Sequence, residues 1–182
     1  IEEMKIAQQL KEKNIAEYLI YMWQVEDLIR ANGCDLDRVE QNIIARYPEE
    51  DRPALCEWYG NLITMMREEN VLEKGHLQIN KNIIINLTDL HNALLASPKF
   101  PFYNAAYFKA LPFIVELRSK SGKKEEPELE TCFEALYGVM LLRLQKKELS
   151  EGTTKAIESI SSFLSMLANY YDKDKKGELE LE

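Results

Sequence analysis

The side chains best suited to chemistry sit in one stretch, Asn14–Asn32, which reads NIAEYLIYMWQVEDLIRAN. Glu26 and Arg30 are four residues apart, with Asp27 beside them, so on a helix Glu26 and Arg30 share a face in the favourable order. On a surface such a pair contributes only about a few tenths of a kcal/mol. The same stretch, however, carries Ile15, Tyr18, Leu19, Ile20, Tyr21, Met22, Trp23 and Val25 on nearly every side. A helix apolar all round must be covered all round, and burial penalises any polar group left without a partner. The reading is a central helix whose Glu26 and Arg30 belong to a satisfied network, with Tyr18, Arg143 or His91 as candidate partners. Such a network either specifies packing or lines a cavity. With His91 and Glu116 added, the set Glu26, Asp27, Arg30, His91 and Glu116 is the candidate polar pocket for a small molecule. Acid–base catalysis by these acids and His91 has the same geometric requirement and no supporting motif.

Two histidines limit metal chemistry. His91 stands on an apolar stripe with Leu87 and Leu94, where a lone histidine is more often a core residue bonded to a neighbour than a ligand. Glu73-Lys74-Gly75-His76 spells E-x-x-H, but its glycine marks a helix end. A di-iron bundle needs the motif twice on continuous helices, and the second copy is absent. Asp172 to Leu179 imitates the front of a calcium loop, except that Lys176 replaces a ligand and the chain ends before the bidentate glutamate. No glycine-rich phosphate loop or nucleophile elbow occurs. No metal, cofactor or catalytic residue is expected.

The elements that must position these groups follow from spacing. Ile6, Ala7 and Leu10 give a short amphipathic lead-in. Asn14, with Glu17 three residues on, fits a capping box for the central helix, and Asn32-Gly33 ends it. Asp35 caps a second helix reaching Tyr47-Pro48. A third starts at Pro53 and carries Leu55, Trp58, Tyr59, Leu62 and Met66 on to Leu72, closing at Gly75. The fourth spans about 78–96, the periodicity favouring helix over strand at Ile83–Ile85. The fifth is the aromatic-rich segment from Phe100 to Gly122, where Pro112 predicts a kink or two half-helices. Phe100 to Phe113 is either the end of a core or an exposed partner patch. Pro127 opens a sixth helix, and Ser150 a seventh carrying Ile157, Ile160, Phe163, Leu164 and Leu167. Residues 173–182 read as a polar, disordered tail. The fold class is all-α: a single-domain up-and-down bundle of about seven helices, residues 1–172, around the buried central helix.

Composition narrows the function classes. The 182 residues carry a formal charge of −8, and the lysine pairs are mixed with acids, which disfavours nucleic acid as a partner. The longest apolar runs are too short to span a bilayer, so no membrane is expected. The opening IEEMKIAQQL lacks a signal-peptide core. Three scattered cysteines, Cys34, Cys56 and Cys132, suit free thiols in a reducing cytosol, and a cytoplasmic location is expected.

The segments IAQQLKEKNIAEYLIYMWQVEDLIR, DLHNALL, YNAAYFKALPFIVEL and LYGVMLLRL resemble a family of uncharacterised bacterial proteins known as a domain of unknown function. The resemblance covers nearly the whole chain and implies no activity or ligand. The surplus of apolar stripe over chemical groups leads to a non-catalytic helical interaction protein, with a homodimer or another protein as partner. A small-molecule-binding bundle floored by the central helix is the alternative.

Overall fold

The computed structural model describes the backbone of residues 2–182, with side chains from Met4 onward. Among these residues are eight α-helices and no strand. They are α1 (Glu2–Lys13), α2 (Ile15–Ala31), α3 (Leu36–Asn42), α4 (Arg52–Glu68), α5 (Gln78–Ala96), α6 (Pro101–Ser121), α7 (Glu128–Leu144) and α8 (Glu151–Lys175). The lead-in is thus a helix of its own beside the seven expected. The helices form two compact units, Ile1–Ile83 and Ile84–Glu182, with the boundary inside α5.

In the first unit α2 is the most thoroughly covered helix. Ile15, Tyr18, Leu19, Met22, Trp23, Val25 and Ile29 are buried, and Glu26 with them. Leu28 and Ala31 are exposed with Asp27, and Ile20 and Tyr21 are half-buried, so the helix is covered on most sides rather than all round as expected. Asn14 caps the helix through its side chain, which accepts from the Glu17 N–H at 3.2 Å. The reciprocal half of the capping box does not form, because the Asn14 N–H is already bonded to the Leu10 carbonyl of α1. At the other end Gly33 and Cys34 both adopt positive φ, and the Cys34 N–H returns to the Ile29 carbonyl at 2.9 Å. That six-to-one bond is the helix stop expected from Asn32-Gly33.

Two boundaries in the first unit differ from the sequence expectation. The second helix ends at Asn42 and is followed by a 3-10 turn, Ile44–Arg46. The third ends at Glu68 rather than Gly75, because Asn70 takes the left-handed conformation. Leu72 therefore lies in a loop spanning residues 69–77, between α4 and α5.

The second unit is built on α6, α7 and α8, with α6 and α8 closely packed. Tyr103, Tyr107, Ala110 and Ile114 are buried on α6, and Ile157, Ile160, Phe163, Leu164 and Leu167 on α8. Pro112 lies inside one unbroken helix, so of the two expected outcomes, a kink or two half-helices, the second does not occur. Gly122, at φ 73°, closes α6. Ser150 caps α8, accepting from the Thr153 N–H at 3.1 Å. That helix continues through Lys175, one turn past Tyr171. The front of the calcium-like run accordingly falls inside a helix: Asp172 and Asp174 belong to α8, and Lys176, at its C-cap, bonds back to Asp172 at 2.9 Å.

Candidate functional site

Glu26 is buried, with 1% of its surface exposed, and both carboxylate oxygens are engaged within the first unit. Oε1 meets His76 Nδ1 at 2.7 Å. Oε2 accepts from the Leu77 N–H at 2.8 Å and from Asn80 Nδ2 at 3.2 Å. Leu77 and Asn80 stand at the start of α5, so the carboxylate supplies acceptors to otherwise orphaned donors where the helix dipole favours negative charge. Glu69 does the same for the Gln78 N–H at 2.6 Å. The His76 ring lies flat on Trp23, with centroids 4.0 Å apart and planes 9° apart.

Arg30 works one turn further along. Its Nε and Nη2 donate to the Val71 carbonyl at 3.2 and 3.0 Å, and Nη2 also reaches the Gly75 carbonyl. Nη1 pairs with Asp27 at 3.0 Å. Cys34 Sγ adds a long contact to the Leu72 carbonyl at 3.6 Å. The polar face of α2 thus fastens the loop between α4 and α5 and caps α5. Chemically, a carboxylate fixing one nitrogen of an imidazole is an arrangement that selects a histidine tautomer, and 28% of the His76 side chain reaches solvent.

His76 is the partner that sequence reasoning missed. It drew attention only as a letter of E-x-x-H, while Tyr18, Arg143 and His91 were the candidates for Glu26. A usable signal existed: Gly75-His76 immediately precedes a helix that has no capping side chain of its own.

His91 and Glu116 lie in the second unit, each in its own surroundings. His91 is 4% exposed, and its Nδ1 bonds the Tyr103 hydroxyl. The rings of Tyr107 and Phe163 close around it edge-on, at 4.7 and 5.4 Å. Burial holds the His91 pKa below its ordinary value, opposed by the charge of Glu128. Burial likewise pushes Tyr103 and Tyr107 upward, and Tyr107 donates to Glu128 at 2.6 Å. Glu116 is on the surface of α6, paired with Lys120 at 2.9 Å. Of the five residues singled out, then, Asp27 and Arg30 pair directly, Glu26 stands one turn away with other partners, and His91 and Glu116 are engaged elsewhere.

The structure adds features with no sequence signature. A half-open groove of about 410 Å³ runs between α6, α7 and α8. It is bounded by Phe113, Val139, Leu142 and Ile157, with Glu116, Lys120 and Glu134 at its edge. In the first unit a shallower depression holds Cys56, whose Sγ donates to Glu40 at 3.1 Å and whose pKa is raised first by burial and then by that glutamate. All three thiols are free. Among the described residues no helix is long and apolar enough to cross a membrane.

Neither a curated protein nor a solved structure matches the chain. The model of one family does, over residues 4–178, a span that reaches from within α1 past the end of α8. The chain belongs to that family, the domain of unknown function DUF4924.

Proposed function

We propose that the chain is a non-catalytic helical interaction protein that self-associates through α6. The observation that carries this reading is a row of apolar residues on the outer face of that helix. Pro101, Ala105, Phe108, Pro112 and Val115 recur at alternating spacings of four and three, and all five are exposed. Phe102, beside the row, is 82% exposed and Phe108 61%. Spacings of four and three are those of a helix seam that packs against another helix, and a contiguous apolar patch is a usual mark of an interaction surface.

A second copy fits this row by charge. Lys109 and Glu116 lie seven residues apart, hence on the same edge of the stripe. In an antiparallel pair about a two-fold axis near Pro112, each copy's Lys109 faces the other's Glu116, which is the self-complementarity an isologous interface requires. A cytoplasmic location belongs to the proposal and is supported by the three free thiols. The alternative, a small-molecule pocket floored by α2, draws less support, because the polar groups of α2 are taken up by the loop and helix start they fasten.

The test is solution mass by light scattering across a concentration series, on the wild type and on Phe102→Glu/Phe108→Glu. Both residues are exposed, so the variant is expected to keep its melting temperature. Tyr107 is unsuitable as a target, being buried and bonded to Glu128. A wild-type dimer that becomes a monomer in the double variant supports the reading. A wild type monomeric throughout the series rejects it.

A further inference from the structure

The outer row of α6 admits more than one way of seating a second copy, and the charges beside it tell those ways apart. Lys109 and Glu116 each follow a residue of the row, Phe108 and Val115, and so flank it on one edge. Both are exposed. The opposite edge carries Asn104, Leu111 and Arg118, all half-buried. Edge residues of paired helices meet across the seam, where charge sets partner and orientation more than affinity.

Given self-association through α6, on which this proposal rests, three arrangements follow from the spacing. In a parallel pair each edge meets the opposite edge of the second copy. Lys109 then falls beside Asn104 and Glu116 beside Leu111, and no ion pair forms. In an antiparallel pair like edges meet. With the two-fold axis between Pro112 and Phe113, Lys109 of each copy meets Glu116 of the other, and symmetry makes the pair twice. Sliding one helix by a heptad, about 10.5 Å, puts the axis at Lys109. The two Lys109 ammoniums then face each other, and each Glu116 faces Phe102.

Lys120 already pairs with Glu116 inside the chain, at 2.9 Å, but these side chains are 73% and 57% exposed. A surface pair four residues apart on a helix is weak, and a carboxylate has acceptor sites for two ammoniums. The internal pair therefore does not withhold Glu116 from a second copy. Because an exposed ion pair adds little to affinity while facing like charges are costly, these residues select among arrangements that the apolar row alone leaves open.

We propose that Lys109 and Glu116 fix the orientation and register of the self-associated pair: antiparallel, with the two-fold axis between Pro112 and Phe113. The apolar row supplies the contact, and the two charges decide how it is made.

Sedimentation equilibrium on Lys109→Glu, on Glu116→Lys and on the chain carrying both changes tests this. Each single change sets like charges against each other at both ends of the seam and should weaken dimerisation about ten-fold or more. The double variant restores both pairs with their signs exchanged and should dimerise like the wild type. An equimolar mixture of the two single variants makes every pair attractive between unlike chains, so it should dimerise at least about ten-fold more tightly than either variant alone. Circular dichroism melts verify that each variant is folded. Single variants that dimerise like the wild type, or a double variant no better than the singles, overturn the proposal. If Phe102→Glu/Phe108→Glu is monomeric in the same series, self-association through α6 survives that result. A wild type monomeric throughout overturns both.

Discussion

In the first unit the buried carboxylate and the half-buried guanidinium of α2 are both engaged. Glu26 supplies two oxygens to three partners, and Arg30 divides its donors between Asp27 and two loop carbonyls. In the second unit α6 does the opposite with apolar groups. Its inner face buries Tyr103, Tyr107, Ala110 and Ile114, while Phe102, Phe108 and Val115 stay in water. One region spends its unusual residues on holding itself together, and the other retains them at the surface. Burial of a charge is tolerated only where geometry satisfies it, and Glu26 meets that condition with partners from its own unit. An exposed phenylalanine has no such requirement within the chain, and its free energy is recovered only by another surface.

The contrast can be broken most severely at Trp23. It is 2% exposed and stacks on His76, so Trp23→Ala should cost about 3–5 kcal/mol, as large buried aromatics do. Denaturant unfolding followed by circular dichroism measures this. An unchanged midpoint would remove α2 from the core of the first unit.

Next is Glu26→Ala, which strips an acceptor from His76, Leu77 and Asn80. Leaving such donors unmet predicts a loss of roughly 2–4 kcal/mol. Hydrogen exchange should localise it to the first turn of α5. A uniform change over the whole chain would count against a local clamp.

The aromatic cluster of the second unit gives a pH-dependent test. His91 has its folded pKa lowered below its ordinary 6.5, chiefly by burial. The unfolded chain therefore takes up the proton more readily. The stability associated with neutral His91 is present above the unfolded pKa and is lost as pH falls below it. Thermal melts from neutral pH downward should show the wild type losing ground below about pH 6.5, with a shallower decline in His91→Gln. Parallel declines would mean that His91 does not dominate this range.

The smallest effect is expected from Tyr107→Phe, which keeps the ring and removes one hydrogen bond to Glu128. About 1 kcal/mol is the usual magnitude. Differential scanning calorimetry resolves it, and a loss of several kcal/mol would show that the hydroxyl organises more than its own bond.

By itself the sequence determined most of the local order. Asn14 and Ser150 start helices through their side chains, and Gly33 and Gly122 end them through the lack of one. The three-and-four spacing of Leu87, His91 and Leu94 puts His91 on an inward face. These are short-range consequences of backbone sterics and capping, readable within a few residues. Tertiary structure decided everything that depended on distant partners. It brought the Val71 and Gly75 carbonyls of the loop to Arg30, and it gave Glu26 to His76 rather than to Tyr18, Arg143 or His91. Periodicity assigns a residue to a face of its own helix but does not say what lies opposite. For the same reason the outward row of α6 emerged only once neighbouring helices had covered one face of that helix and left another bare.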